Sequence, residues 1–321
     1  MKAADIRSAL TSMLSGAMDI DTIAKTLIQI EEDGVGAEQL AAGAAVMREH
    51  MKRVSVPEDA IDIVGTGGTG LKLLSISTAT AFVVAGAGVP VAKHGNRGAS
   101  SPTGTADTQS ELGINIAMSP ERAAAAVSEV GMGFLFAPTY HPAMRHVGPA
   151  RKQIGKRTIF NRLGPLCNPA SVKHMLLGSA EPHLVRPMAE ALKANGVKSA
   201  MVVHGEDGLD EITTTGTTFV AELKDQTITE YVMTPEEFGL NRVALSDLSG
   251  GQPAENAAAL RGLLDGNSSA YRDIVLLNAA AALKVVVKVR DIKDGLTLAQ
   301  NSIDSGAAKS VLTKLAAFSH G

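Results

Sequence analysis

Asp62-Ile63-Val64-Gly65-Thr66-Gly67-Gly68-Thr69-Gly70 reads as a buried strand that runs straight into a glycine-rich turn. Ile61, Ile63 and Val64 form the apolar strand end. The glycines after it let the backbone approach a ligand closely and present N–H groups to it. Ser75-Ile76-Ser77-Thr78 follows, where a helix expected over Ala79 to Ala87 begins. Free N–H groups and hydroxyls at such a helix start favour an anion, so the segment reads as a phosphate-binding core.

Gly65, Gly67 and Gly70 satisfy the dinucleotide pattern G-x-G-x-x-G, which expects an acidic residue about 20 positions later for a ribose hydroxyl. The next strand, Val89 to Ala92, ends instead in Lys93-His94, which argues against NAD and leaves NADP open. A P-loop is excluded because Leu71, not Lys, follows Gly70. On the glycines alone, a tight turn and a phosphate cradle are equally open. The second segment shifts the balance: Lys93, Asn96 and Arg97 bring charged and neutral donors, and Gly95 gives backbone access between them. Ser100 and Ser101 add hydroxyls, and Thr105 lies on a helix expected from Pro102 to Gly113. Two anion-friendly loops at consecutive strand ends share one crevice in an open α/β sheet.

The 321 residues suggest two domains at ~150 residues each, and a hydrophobic content of 45% suffices for a large core. A net charge of -3 and the absence of Trp speak against a nucleic-acid surface. The single cysteine, Cys167, cannot form an intrachain disulfide and reads as an apolar filler in a reducing compartment. Charges interrupt the N-terminus before any signal-peptide core. Asn278, Lys284 and Lys288 interrupt Ile274 to Val289, which suits a buried helix better than a membrane span. A cytoplasmic location is the expectation.

Up to Met51 the pattern is helical, with stripes of Ile6, Leu10, Met13 and Leu14, then Ile23, Leu27 and Ile30, then Leu40, Ala44, Met47 and Met51. Asp21 is a candidate cap for the second helix. Beyond Pro57, apolar strands alternate with helices at Ile61 to Val64, Val89 to Ala92, Ile114 to Ala117, Gly133 to Phe136, Met175 to Gly178 and Ala200 to His204. That alternation predicts an α/β fold with a largely parallel sheet. Ser119-Pro120-Glu121 marks a helix start. His141 to Gly155 is expected as one helix, and the threonine-rich alternation from Glu211 to Val232 as antiparallel edge strands.

The ordered motifs are Gly65-Thr66-Gly67-Gly68, Ser77-Thr78, Lys93-His94-Gly95-Asn96-Arg97, Arg157-Thr158-Ile159-Phe160-Asn161, Leu163-Gly164-Pro165-Leu166, Asn168-Pro169 and Gly208-Leu209-Asp210-Glu211. Together they resemble the anthranilate phosphoribosyltransferase family, over nearly the whole chain to Ser305-Gly306-Ala307-Ala308. The resemblance implies a small all-helical domain, residues 1–56 with a return segment near 142–172, beside a larger α/β domain, 57–141 and 173–321. It implies transfer of the phosphoribosyl group of phosphoribosyl pyrophosphate to the amine of anthranilate in tryptophan biosynthesis, with Mg2+ and a homodimer.

By the same resemblance, Gly65, Gly68, Thr69, Ser75, Ile76, Ser77, Thr78, Lys93, His94, Gly95, Asn96, Arg97, Gly98, Ala99, Ser100, Ser101 and Thr105 bind phosphoribosyl pyrophosphate. Ser77, Asp210 and Glu211 match the magnesium positions, a donor set suited to a hard cation. Gly65, Asn96 and Arg151, with His94 and His141 nearby, match the anthranilate site; an arginine offers a planar fork to a carboxylate. No dedicated catalytic acid or base is implied, since the amine is already nucleophilic once positioned. The chain departs from the family at Thr69, where Asp is usual, at Ser75, where Asn is usual, and at Leu73, where Thr is common. Loss of the Asp predicts altered magnesium dependence. The alternatives are a nucleoside phosphorylase-like enzyme, a non-catalytic nucleic-acid-binding relative, and an NADP oxidoreductase resting on the glycine pattern alone.

Overall fold

The computed structural model describes residues 1–98 and 103–321. At its centre lie β1 (Ile61–Gly65), β2 (Val91–Gly95), β3 (Met132–Phe136), β4 (His174–Gly178), β5 (Ser199–Gly205), β6 (Thr218–Lys224) and β7 (Thr227–Met233). They form one seven-stranded sheet in the order β3-β2-β1-β4-β5-β6-β7. The first five pair in parallel, and β6 and β7 close one edge antiparallel. The parallel strands are covered on both faces and so read as apolar runs. At the edge, Phe219 and Val232 face each other across β6 and β7, 43% and 54% exposed, an outward cross-strand pair.

Three helices precede the sheet, α1 (Ala3–Leu14), α2 (Ile20–Asp33) and α3 (Ala37–Glu49), each burying the stripe its spacing dictates. Then come α4 (Ile76–Gly86), α5 (Thr105–Glu111), α6 (Pro120–Glu129), α7 (Ala137–Tyr140), α8 (Gly148–Ile154) and α9 (Ile159–Leu163). The chain ends with α10 (Val185–Ala194), α11 (Pro253–Leu264), α12 (Ala270–Val285), α13 (Ile292–Asp304) and α14 (Ala307–His320). α8 packs on α2 and α9 on α3, while α4 packs against α12, α13 and α14. α3 meets α9 closely because Gly43 carries no Cβ; one there would come within 2.9 Å of Leu163. A continuous apolar core runs from Ile6 and Leu27 through Leu163 and Leu166 to the sheet. Cys167 lies inside it, its thiol pushed up to about 12 by burial, as an inert filler should be. Among the described residues no helix is long and apolar enough to cross a membrane.

The structure corrects several sequence expectations. Ile114 to Ala117 is not a strand: the Asn115 side chain accepts from the Ala117 amide at 3.0 Å, and its backbone N–H goes to Ser319 at 2.9 Å. These local and long-range bonds replace ladder pairing while Ile114 and Ile116 still bury. His141 to Gly155 is not one helix, because a 3-10 turn at Pro142–His146 precedes α8. Asp19, not Asp21, caps α2, its carboxylate accepting from the Thr22 amide at 2.9 Å. β2 begins at Val91 and extends through Lys93 and His94 to Gly95. The helix expected from Pro102 begins, within the described residues, at Thr105.

The chain turns from β1 toward β2 on one side and from β4 toward β5 on the other, although β1 and β4 are neighbours. Their carboxyl ends therefore flank the switch point of the sheet, where open α/β folds hold ligands.

Candidate active site

At that switch point β1 and β4 end in a registered pair of glycines, Gly65 and Gly178. A Cβ on Gly65 would overlap the Asp210 carboxylate, and one on Gly178 would overlap the Asp210 backbone carbonyl. The two glycines thus make room for the turn after β5 that carries Asp210 and Glu211. Beyond Gly65 the loop is left-handed at Gly67 and Gly68, φ 62 and 72, a conformation that favours glycine. The Gly67 N–H donates to Asp210 Oδ2 at 2.7 Å, and the Thr69 hydroxyl accepts from the Leu71 amide at 3.2 Å. A cavity of about 140 Å³ opens here between the loop from Gly67 to Leu74, Ile76, Asp210 and Glu211.

Ser77 lies in the first turn of α4, and its backbone hydrogen-bonds the Glu211 carboxylate. The structure therefore brings the three candidate metal residues together. Burial raises the Asp210 carboxyl above its ordinary value, and burial plus the Asp210 charge push Glu211 up to about 8. Two crowded carboxyls beside a hydroxyl suit a hard divalent cation, which relieves their repulsion. Among the described residues no group of three His, Cys, Asp or Glu side chains gathers as a cage. An ion held here would draw its remaining ligands from substrate and water, the arrangement magnesium favours.

Lys93 does not face the crevice as an open surface cation. It is 1% exposed, and its ammonium donates to the Ile63 carbonyl. Burial lowers its pKa, while the charges of Asp62, Glu211 and Asp210 act in the opposite sense. Asp62 is fully buried on β1, where its carboxylate accepts from the His94 amide at 3.1 Å and from the Asn168 amide nitrogen at 2.8 Å. Burial pushes that carboxyl up to about 6 against the pull of Lys93. Lys93 is thus the counter-charge beneath the Asp210–Glu211 pair.

In the second loop Asn96 and Arg97 are exposed, and the Arg97 guanidinium pairs with Asp107 at 2.6 Å. The Asp107 carboxylate also accepts from the amides of Gly98 and Gly104, both at 3.0 Å. Burial alone would raise its pKa; these amides and Arg97 together bring it below the ordinary value. Thr105 packs on Gly95, whose missing Cβ leaves room for it. Ser75 shares a hydrogen bond with the Thr108 hydroxyl at 2.7 Å, and Thr78 is buried in α4. Ala99, Ser100 and Ser101 lie outside the described residues.

His94 and His141 stand with ring centroids 5.2 Å apart, both buried, each with an Nε2 that has no hydrogen-bond partner among the described residues. Arg151, on α8, donates to the Asn161 side chain at 3.1 Å and lies over the Phe160 ring at 5.8 Å. Among the described residues no hydrogen bond joins Arg151 to Asn96.

Residues 57–309 match the family described as "Glycosyl transferase family, a/b domain". The chain is 53% identical over 321 residues to anthranilate phosphoribosyltransferase of Parvibaculum lavamentivorans, covering 100% of this chain and 94% of that protein. The chain belongs to the anthranilate phosphoribosyltransferase family. Its structure is similar to the crystal structure of anthranilate phosphoribosyltransferase from Thermus thermophilus, with a TM-score of 0.95, 41% identity, and coverage of 100% and 96%. It is also similar to the Saccharomyces cerevisiae enzyme in complex with PRPP and Mg, with a TM-score of 0.91, 28% identity, and coverage of 99% and 93%.

For an anthranilate phosphoribosyltransferase family member, sequence reasoning missed Asp62, Asn168, Gly178 and the role of Arg157. Asp62 left a signal, a charge inside the apolar run Ile61-Asp62-Ile63-Val64 that demands a buried partner. Arg157 donates from Nη1 to the carbonyls of Gly67 and Gly68, at 3.1 and 2.9 Å. Nothing in its local sequence indicates that target.

The histidine pair carries a pH dependence. Burial, then the neighbouring His141, lowers His94 to about 3, and burial lowers His141 to about 4. Below the unfolded value of ~6.5, the unfolded chain takes up protons that the folded chain refuses. The stability they contribute is therefore complete above that value and is lost as pH falls toward 4. The unfolding free energy from urea titrations should drop between pH 7 and pH 5, by up to ~1.4 kcal/mol per pH unit per histidine, and His141→Asn should flatten the slope. Identical profiles for the variant and the parent would contradict buried neutral rings.

Proposed function

We infer that this chain joins anthranilate to the ribose C1 of phosphoribosyl pyrophosphate, releasing pyrophosphate, in the crevice beyond β1 and β4. The observation that carries this reading is the convergence of a left-handed glycine loop, Ser77 and the Asp210–Glu211 pair on one switch point. The yeast relative of the same fold is in complex with PRPP and Mg.

In this reading the loop at Gly65–Thr69 and the described residues after β2, Asn96 to Gly98, with Ser75–Thr78 and Thr105, receive the phosphate groups. Ser77, Asp210 and Glu211 would hold Mg2+, which would supply positive charge to the departing pyrophosphate. The C1–O bond to pyrophosphate breaks, the C1–N bond forms, and the amine nitrogen releases one proton. Lys93 keeps the metal carboxylates from repelling the site apart. Backbone amides and the helix start of α4 face the charge that develops on the leaving group, the main source of rate when no strong base is needed. Thr69 stands where the family usually has Asp, so the loop brings one negative charge fewer to the metal. Its hydroxyl braces the loop internally instead.

Anthranilate lies toward Asn96, Arg151, His94 and His141. A guanidinium held by Asn161 and Phe160 is a preset fork for the carboxylate. The neutral Nε2 atoms of the two histidines suit an uncharged amine rather than a cation. Arg151→Ala should raise KM for anthranilate by about tenfold to a hundredfold, the loss of a charge-assisted pair, while KM for phosphoribosyl pyrophosphate stays within about twofold. Steady-state kinetics with each substrate varied in turn reads this directly. Equal rises in both constants would remove Arg151 from the acceptor site.

Residues 1–56 and 142–172 act as one helical unit and the remainder as the other, with the substrates between them. Two copies associate through the N-terminal helices, where Ile20 and Ile28 of α2 are 45% and 44% exposed. The reaction belongs to the cytoplasm, where a lone free thiol is stable.

A further inference from the structure

We propose that Arg157 is a positioning residue for the phosphate-binding loop, anchored by an ion-pair chain that reaches the N-terminal helices. This rests on the reading of that loop as the pyrophosphate site. Gly67 and Gly68 adopt consecutive left-handed conformations, and one nitrogen of Arg157 takes both of their carbonyl oxygens, at 3.1 and 2.9 Å. A Cβ on Gly68 would overlap the guanidinium, so the glycine is required by the arginine as well as by the turn. With its carbonyls committed to a cation, the loop cannot swing those oxygens toward an anion. It is left to offer N–H groups, as the Gly67 N–H already does to Asp210.

The guanidinium is itself held from behind. Arg157 Nη2 lies 3.5 Å from Glu181, an ion pair too loose to count as a hydrogen bond. Glu181 follows β4 and is gripped by both arms of Arg162 on α9, at 3.0 and 2.8 Å. Arg162 pairs in turn with Glu31 on α2 at 2.6 Å. The members are only partly exposed, 32% for Arg157, 22% for Glu181 and 12% for Arg162, so solvent screens the chain less than it would a surface pair. The glycine loop, which has no side chains of its own at Gly67 and Gly68, is thereby tied to the helical unit on the other side of the crevice. Arg157 touches neither substrate nor metal in this account; it acts through the loop.

The test is calorimetric titration of phosphoribosyl pyrophosphate with Mg2+ into the full chain and into Arg157→Met, Arg157→Lys and Glu181→Gln, with steady-state kinetics on each. Arg157→Met should weaken binding about tenfold or more and raise KM for phosphoribosyl pyrophosphate in parallel. KM for anthranilate should stay within about threefold while binding of phosphoribosyl pyrophosphate weakens, a split between the two substrates that a general loss of structure would not produce. Arg157→Lys should fall between the two, since a point-like ammonium cannot reproduce the fork. Glu181→Gln should shift binding the same way by a smaller factor. Unchanged binding by Arg157→Met, with the parent chain binding normally, would overturn the role of Arg157 alone. Equal loss for both substrates would overturn it too, and a parent chain that binds no phosphoribosyl pyrophosphate would overturn the site reading along with it.

Discussion

Asp210→Asn should lower kcat/KM for phosphoribosyl pyrophosphate by about a hundredfold or more and move the magnesium response to higher concentration, as seen in initial rates across a magnesium series. The substitution keeps the shape of the turn. An amide oxygen can still accept from the Gly67 N–H, and Gly65 and Gly178 still leave room for the turn. What disappears is one of two carboxylate charges beside Ser77. Removing a single preset electrostatic partner from an active site costs about 10²–10³ in rate, roughly 2.7–4 kcal/mol, and the metal arrangement proposed above would make this residue such a partner. The variant should also be no less stable than the parent, because the remaining carboxyl of Glu211 loses the like charge that pushes it up. A magnesium midpoint equal to that of the parent would mean that Asp210 only braces the glycine loop.

Lys93→Met carries the second large effect, read in stability. The methionine fills most of the volume but leaves Asp62 with no cation, and the Ile63 carbonyl with no ammonium donor. Removing the charge that opposes the burial of Asp62 should destabilise the fold, by less than the ~3–5 kcal/mol of a directly bonded buried pair, since among the described residues no ion pair joins the two side chains. Urea unfolding should show a clearly lower midpoint. The double variant Lys93→Met with Asp62→Asn should recover part of the loss, because the uncompensated charge is gone and the amide can still accept from the His94 amide. A single variant within about 1 kcal/mol of the parent would show that Asp62 is already protonated in the fold and needs no partner.

These two residues also mark how far the sequence could be read. The glycine loop, the strand before it and the helix start at Ser77 were legible because each rests on local chemistry, apolar periodicity followed by glycine and hydroxyls. The parallel sheet with its antiparallel edge was legible for the same reason. Ile114 to Ala117 misled, since a short apolar run buries equally well as a loop once Asn115 satisfies the backbone. Lys93 misled in another way. Beside Asn96 and Arg97 it looks like one of three outward donors, yet its strand runs on past Ala92 and is covered on both faces, so the ammonium must find partners inside. Arg157 could not be placed at all, because its targets lie some 90 residues earlier in the chain and are backbone oxygens with no sequence signature. Tertiary pairing of this kind is written in the fold, not in the spacing.

The most direct test of the transferase reading follows anthranilate loss and pyrophosphate release together in one vessel containing the purified chain, phosphoribosyl pyrophosphate and Mg2+. Equal rates of loss and release, abolished by a chelator and restored by added magnesium, are the predicted result. Pyrophosphate release that is indifferent to anthranilate, or no turnover at any magnesium concentration, would contradict it.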